Sequence, residues 1–270
     1  AYLLDDELEL GIEMVNWLGE TEGLIVSLVS LNPKVEVVDA LRHFPALKSN
    51  ARTNNYTDPF KLKVVGDGNT NEPVVLRLDI TDGTFNYQEY VTFIINPDFV
   101  NVDVNHVSST FSSAGQIGFI DNELSKGLGF QLEWDGNFLY EAGLMVGALV
   151  EGKSKVLDRI RNENRSTDRD FWSVIPARRY TTADGSAFYA TGTFSDTIDT
   201  NMRSADKIGI RVRQQIIAYN QIGHENYIKV IYTLINTSGN DLSDVYAGIY
   251  ADWDISNPEQ NSGETLFRIY

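Results

Sequence analysis

Leu24-Ile25-Val26-Ser27-Leu28-Val29-Ser30-Leu31 decides the fold class. Its apolar residues recur at every second position, the period of a strand that buries one face and wets the other. Asn32-Pro33 is a turn dipeptide, and Lys34-Val35-Glu36-Val37-Val38 follows it. Farther out, Phe60-Lys61-Leu62-Lys63-Val64 alternates again. So does the run from Val74 to Ile80, which ends at the turn signal Thr81-Asp82-Gly83. Tyr90-Val91-Thr92-Phe93-Ile94-Ile95 stops at Asn96-Pro97. Short strands spaced roughly ten residues apart with turns between them predict a β-sandwich over residues 1–98.

A second series begins near Val102. Gln116 to Ile120 and Phe130-Gln131-Leu132-Glu133-Trp134 are strand-like, and Asp135-Gly136-Asn137 turns the chain into Phe138-Leu139-Tyr140. The run from Ile208 to Ile217 alternates through Ile210, Val212, Gln214 and Ile216. Tyr227 to Ile235 is the most strand-like stretch of all. The turn Asn236-Thr237-Ser238-Gly239-Asn240-Asp241 then predicts that Asp244 to Ala251 returns as its hairpin partner. The charged stretch Ser154 to Asp170 reads as a short helix or an exposed excursion. Residues 99–270 are therefore expected to form a second, larger β-sandwich, and the whole chain to be all-β. No repeat with a solenoid or propeller period is visible.

The 270 residues are 42% hydrophobic and 22% charged, a globular composition. Lys and Arg number 22 against 38 Asp and Glu, a net charge of −16. Such a surface repels phosphate backbones and anionic lipid, which argues against nucleic acid or membrane insertion. No apolar run approaches the roughly 18 residues of a membrane helix. With no Cys, disulfide scaffolds, thiol nucleophiles and cysteine zinc sites are excluded. The opening Ala1-Tyr2-Leu3-Leu4-Asp5-Asp6 is not a signal peptide, and Thr265-Leu266-Phe267-Arg268-Ile269-Tyr270 reads as a strand. Either a signal has been removed or the chain is a piece of something longer, and the closing strand suggests that the fold continues past residue 270.

Catalytic motifs are scarce. Gly-x-Ser-x-Gly, His-Glu-x-x-His and Gly-x-x-x-x-Gly-Lys-Ser/Thr do not occur, and Gly127-Leu128-Gly129 lacks the third glycine of a dinucleotide loop. His43, His106 and His224 are far apart in sequence, which argues against a multi-histidine metal centre. The most suggestive group is Asp252-Trp253-Asp254-Ile255-Ser256-Asn257. In an extended strand Asp252 and Asp254 point to one face, and two such carboxylates repel unless a cation sits between them. Calcium takes about six to eight oxygens of this kind. Asp252, Asp254 and Asn257 are the candidate metal ligands, with Ser256 on a further donor position. The segment is no EF-hand, because Asn257 stands where Gly is wanted and Gly263 where the bidentate Glu belongs. The competing reading is a solvated acidic strand end. Trp17, Trp134, Trp172 and Trp253 are candidates for a sugar-stacking platform, against the commoner fate of strand aromatics as core.

Several stretches together resemble a known arrangement. Trp17-Leu18-Gly19-Glu20-Thr21-Glu22-Gly23-Leu24-Ile25-Val26, Tyr56-Thr57-Asp58-Pro59-Phe60 and Phe93-Ile94-Ile95-Asn96-Pro97 are similar to immunoglobulin-like domains of large secreted bacterial proteins. Those domains follow subtilisin-like peptidase domains or belong to cell-surface proteins exported by the type IX secretion route. Leu18 departs from the usual proline. Gly115-Gln116-Ile117-Gly118-Phe119, Leu139 to Gly147 and Tyr246 to Ile255 resemble the module that follows. The resemblance implies an immunoglobulin-like first domain and a non-catalytic accessory or spacer role, secreted or on the cell surface. Implied partners are other domains of the same parent protein and a cell-surface protein or glycan. The peptidase motifs themselves have no counterpart here. The alternative is a carbohydrate-binding module, and the third reading a glycoside hydrolase built on a carboxylate pair.

Overall fold

The computed structural model describes residues 3–66, 68–121, 126–133, 136–160, 170–182, 186–197 and 207–255. Among these residues the regular structure is all strand, with no helix. The chain divides into two compact units, Ala1–Pro97 and Asp98–Tyr270.

In the first unit, β3 (Leu24–Ser30) is the stretch quoted at the outset, and it buries Leu24, Val26 and Leu28. It lies between β5 (Leu41–Phe44) and β8 (Glu72–Thr81), and β9 (Asn86–Ile95) closes the sheet in the order β5-β3-β8-β9. A second sheet has β7 (Phe60–Val64) between β1 (Glu7–Leu10) and β4 (Val35–Asp39). A short pair joins β2 (Glu13–Val15) to β6 (Arg52–Asn54). Phe60, Leu62 and Val64 share one core with Val26, Leu28, Val74, Leu76 and Leu78, so the two main sheets are layers of a sandwich. Each such side chain stabilises by roughly 1.5–3 kcal/mol on burial.

Two ion pairs pin the loops of this unit. Arg42, 6% exposed, forks onto Asp39 at 2.8 and 2.9 Å and donates to the carbonyls of Asp58 and Pro59, while its guanidinium covers the Phe60 ring. Glu72 receives Lys34 Nζ at 2.7 Å, Asn32 Nδ2 at 3.1 Å and the Asn69 amide at 2.7 Å. The Lys34 hydrogen bond, helped by Asn32 and Asn69, holds the Glu72 carboxyl at about 2.

The second unit has two larger sheets. The first runs β10 (Phe99–Val102), β11 (Val107–Ser112), β12 (Gln116–Ile117), β14 (Leu139–Val150), β15 (Lys153–Leu157), with β13 (Phe130–Leu132) on β11 and β20 (Ser243–Trp253) on β14. The second runs β16 (Trp172–Thr181), β17 (Ala187–Ser195), β18 (Ile210–Tyr219), β19 (Ile228–Asn236). The charged stretch from Ser154 begins as part of β15, and its residues 161–169 lie outside the described ones.

The expected hairpin of Tyr227–Ile235 with Asp244–Ala251 does not form. β19 pairs with β18, and β20 crosses to the other sheet, where it pairs with β14 from Leu139↔Trp253 to Leu149↔Ser243. Packing explains the choice. The half-buried Tyr232 and Leu234 of β19, and Leu242 at the crossover, join a core with Leu144, Val146 and Ala148 of β14, so the connection passes over the sandwich edge.

β18 buries Ile210, Val212, Gln214, Ile216 and Ala218 on one face. Ile210 and Val212 belong to one apolar cluster, and Ile216 and Ala218 to another. Between them Gln214 Nε2 donates to the Ser112 carbonyl of the facing sheet at 3.3 Å, and nearby the Ala177 amide donates to Ser113 Oγ at 2.8 Å.

Asp196, fully buried after β17, ties the start of β18. Its carboxylate accepts the amides of Ile208 (2.6 Å), Gly209 (2.8 Å) and Ile210 (2.9 Å). Gly209 has φ +87°, and a Cβ there would fall 2.5 Å from Ser238 Cβ, so only glycine fits the knot.

Two outcomes follow from these ties. Asp196→Ala strands three buried amides and is expected to cost about 3 kcal/mol in urea unfolding. A loss below about 0.5 kcal/mol would show that the knot is not structural. For Glu72 the folded pKa is depressed, so its contribution is complete above the ordinary carboxylate value of 4.5 and is lost as pH falls towards about 2. Glu72→Gln should flatten the acid limb of the stability profile in that window, read by circular dichroism against pH.

Candidate functional site

The last described strand, β20, carries the acidic segment singled out from sequence. Asp252 is exposed and lies directly across from Glu141 of β14, which is 6% exposed. β20 ends at Trp253, and Asp254, half-buried, lies past the strand with its amide donating to the Phe138 carbonyl at 2.9 Å. Asn257 and Ser256 lie outside the described residues. Among the described residues no group of three or more His, Asp or Glu side chains is placed to hold a metal ion. Burial first, then the nearby Asp252 and Glu141, pushes the Tyr250 phenol up.

Trp253 packs edge-on against Phe130 of β13, with ring centroids 5.3 Å apart. The two rings border an apolar crevice of about 300 Å³ whose other walls include Phe111, Leu139, Ile249 and Tyr227. Trp253 is 41% exposed, so it contributes to the crevice and to the surface at once.

Beside that crevice the β18–β19 turn places a chain of rings. Asn105 fixes it, donating from Nδ2 to the carbonyls of Tyr219 (3.1 Å) and Tyr227 (3.0 Å). His224 stands edge-to-face between Tyr219 and Tyr227, at centroid distances of 6.0 and 5.9 Å, and its Nδ1 lies 2.5 Å from the Tyr227 hydroxyl. Tyr189 extends the row, its hydroxyl donating to that of Tyr219 at 3.3 Å. The His106 amide donates to the Glu225 carbonyl, and its Nδ1 meets Asn226 Oδ1 at 2.9 Å and Glu133 Oε1 at 3.5 Å. Backbone amides, chiefly its own, hold the Glu225 carboxyl below the usual range, with His106 adding to the effect.

Thus His106 and the His224 loop, distant in sequence, meet at one end of the sandwich, while His43 lies exposed on β5 of the other unit. In an acyl-transfer triad the base is oriented by a carboxylate on its second nitrogen. Among the described residues His224 has no carboxylate partner.

The other candidates are scattered. Trp17, 72% exposed, follows β2; Trp172 opens β16 with the Arg159 guanidinium 5.6 Å from its ring centre; Trp134 lies outside the described residues. Sequence reading missed Tyr189, Tyr219, Tyr227 and Asn226, which only strand register brings together.

In the first unit the outer face of the β5-β3-β8-β9 sheet forms a concavity of about 830 Å³, bordered by Ile25, Leu41, Asp79, Gln88 and Tyr90. Arg77 pairs with Asp79 at 2.9 Å and Gln88 Nε2 donates to it at 2.7 Å. The Arg77 hydrogen bond foremost holds the Asp79 carboxyl low, and Gln88 adds to it. No family model, curated protein or solved structure matches this chain.

Proposed function

We propose that this chain is a non-catalytic accessory or interaction region of a larger secreted or cell-surface bacterial protein, with an immunoglobulin-like first domain. One observation carries the reading. The buried polar side chains of Arg42 and Asp196 are spent on backbone hydrogen bonds that fix loops, a structural use of polar chemistry. Catalytic groups are instead tuned and left facing a substrate. The concavity of the first unit and the ring-lined end of the second are wide, preformed surfaces suited to docking. The sequence resemblance supplies the secreted setting, a neighbouring subtilisin-like peptidase, and other domains of the parent protein or a cell-surface glycan as partners.

Two observations favour other readings. The Trp253–Phe130–Tyr227 crevice suits a carbohydrate-binding module, since ring faces stack on sugars. Glu141 and Asp252, opposite each other on one sheet face, are the pair a glycoside hydrolase would use.

The accessory reading is tested by assaying the chain against chromogenic glycosides and a casein substrate. It expects no turnover above buffer. Hydrolysis that disappears in Glu141→Gln or Asp252→Asn would replace it with the enzyme. Calcium at Asp252, Asp254 and Asn257 belongs to the same proposal. Chelator should then lower the melting temperature, and Asp254→Ala should abolish that sensitivity. An identical melting curve with and without chelator removes the metal.

A further inference from the structure

The four strands β16, β17, β18 and β19 contain Arg178, Arg179, Arg211, Arg213 and Lys229, and not one Asp or Glu. This occurs in a chain whose net charge is −16. Acidic residues outnumber basic ones overall, so a whole sheet without them is a marked segregation of charge.

Alternation puts most of these cations outside. β18 turns Ile210, Val212, Gln214 and Ile216 into the core, which leaves Arg211 and Arg213 exposed on the outer face. Lys229 is exposed on the same face, opposite Ile217. Among the described residues Arg211, Arg213 and Lys229 have no ion pair, whereas Arg179 is drawn to Asp103 at 3.4 Å. Three cations therefore face water with no ion-pair partner among the described residues, unlike Arg77, which pairs with Asp79.

The register sets what surrounds them. Arg213 is flanked by Thr193 on β17 and Thr233 on β19. One step along the sheet, Gln215 is flanked by Thr191 and Ile231. At the next row Tyr189, 39% exposed, stands opposite Tyr180, 60% exposed. Rows on one face of a strand recur at roughly 7 Å, so the face from Arg211 to Lys229 is about 20 Å long. It offers separated positive charges, hydroxyl and amide groups between them, and two phenol rings at one end.

We propose that the outer face of the β16–β19 sheet binds an anionic polysaccharide, a sugar chain bearing carboxylate or sulfate groups. Ring faces of the sugars lie on Tyr180 and Tyr189, and their hydroxyls meet Thr191, Thr193 and Gln215. The acidic groups pair with Arg211, Arg213 and Lys229. The spacing of the cations and the hydroxyls between them suit a sparsely charged, hydroxyl-rich polymer. Duplex nucleic acid carries a denser charge and does not present the hydroxyl-rich sugar faces that the threonines and phenols here would meet. The inference rests on the interaction role proposed above and gives that role a partner class.

Affinity electrophoresis at low salt tests it, with polygalacturonate, dextran sulfate, neutral dextran and poly(dT) in parallel. Retardation by polygalacturonate or dextran sulfate but not by dextran is expected, and which polymer acts tells carboxylate from sulfate. Binding should weaken as salt rises. The double variant Arg211→Glu/Arg213→Glu should weaken it at least about tenfold, and Tyr189→Ala about fivefold. Arg211→Gln/Arg213→Gln, milder for folding, should weaken it in the same direction with an unchanged circular dichroism spectrum. No retardation by either acidic polymer, retardation that survives both double variants, or equal retardation by poly(dT) would overturn the proposal. Those failures leave the glycoside and casein assays silent, whereas failure of the accessory role appears there as turnover.

Discussion

Two layers of a sandwich can slide past each other unless something other than oil-like packing sets their register. In the second unit that constraint is a polar seam through the core. Gln214 sits where the alternation of β18 demands an apolar side chain, and it reaches across to the Ser112 carbonyl, while Ser113 receives the Ala177 amide nearby. An amide in an apolar interior is costly unless it is hydrogen-bonded. The Gln214 Oε1 has no protein partner, so some stability is given up at the seam. What is gained is a directional bond that only one alignment of the sheets can make. The apolar clusters on either side then close against fixed neighbours.

The sequence was most readable where one face of a strand is buried and the other is wet. Leu24 to Ser30 and Ile210 to Tyr219 obey that rule along their length, and even Gln214 shows as an inward position. β11 is the opposite case. Val-Ser-Ser-Thr-Phe-Ser is buried at every residue, and its hydroxyls are satisfied inside, as when Thr110 Oγ1 donates to Asn101 at 2.6 Å. A run of Ser and Thr has no apolar period to betray it. Alternation also names a face and not a neighbour, which is why β20 could be recognised as a strand yet given the wrong partner. The site was harder still. Tyr189, Tyr219, His224 and Tyr227 carry no common motif, and their proximity is a product of three strands in register. The same-face argument for Asp252 and Asp254 assumed an extended strand through both, and β20 stops between them, at Trp253.

Charge is distributed by a similar logic. Many of the carboxylates with clear work in the described residues sit at turns and strand ends, where backbone amides are free to be capped. Asp82 accepts the amides of Thr84 and Phe85, and Asp196 those of three residues before and within β18. In the β16–β19 sheet the strand interiors are left to residues that favour pleated surfaces, Val, Ile, Thr and Tyr. Arg joins them because its long aliphatic stem can lie along an apolar sheet while its head reaches water. The positive face of the second unit and its negative loops are thus two results of one division of labour.

The pairing of β14 with β20 also governs how the second unit comes into being. Leu139 and Trp253 become neighbours in space although the rest of the second sheet is encoded between them. On a ribosome, β14 emerges long before its partner, and until then one of its long edges waits with open amides and carbonyls. Such distant pairings are slow to close and invite intermolecular pairing meanwhile. Gly143 and Gly147 in β14 weaken that waiting edge as a template for another chain. Translation of β20 is therefore the event that closes this edge of β14.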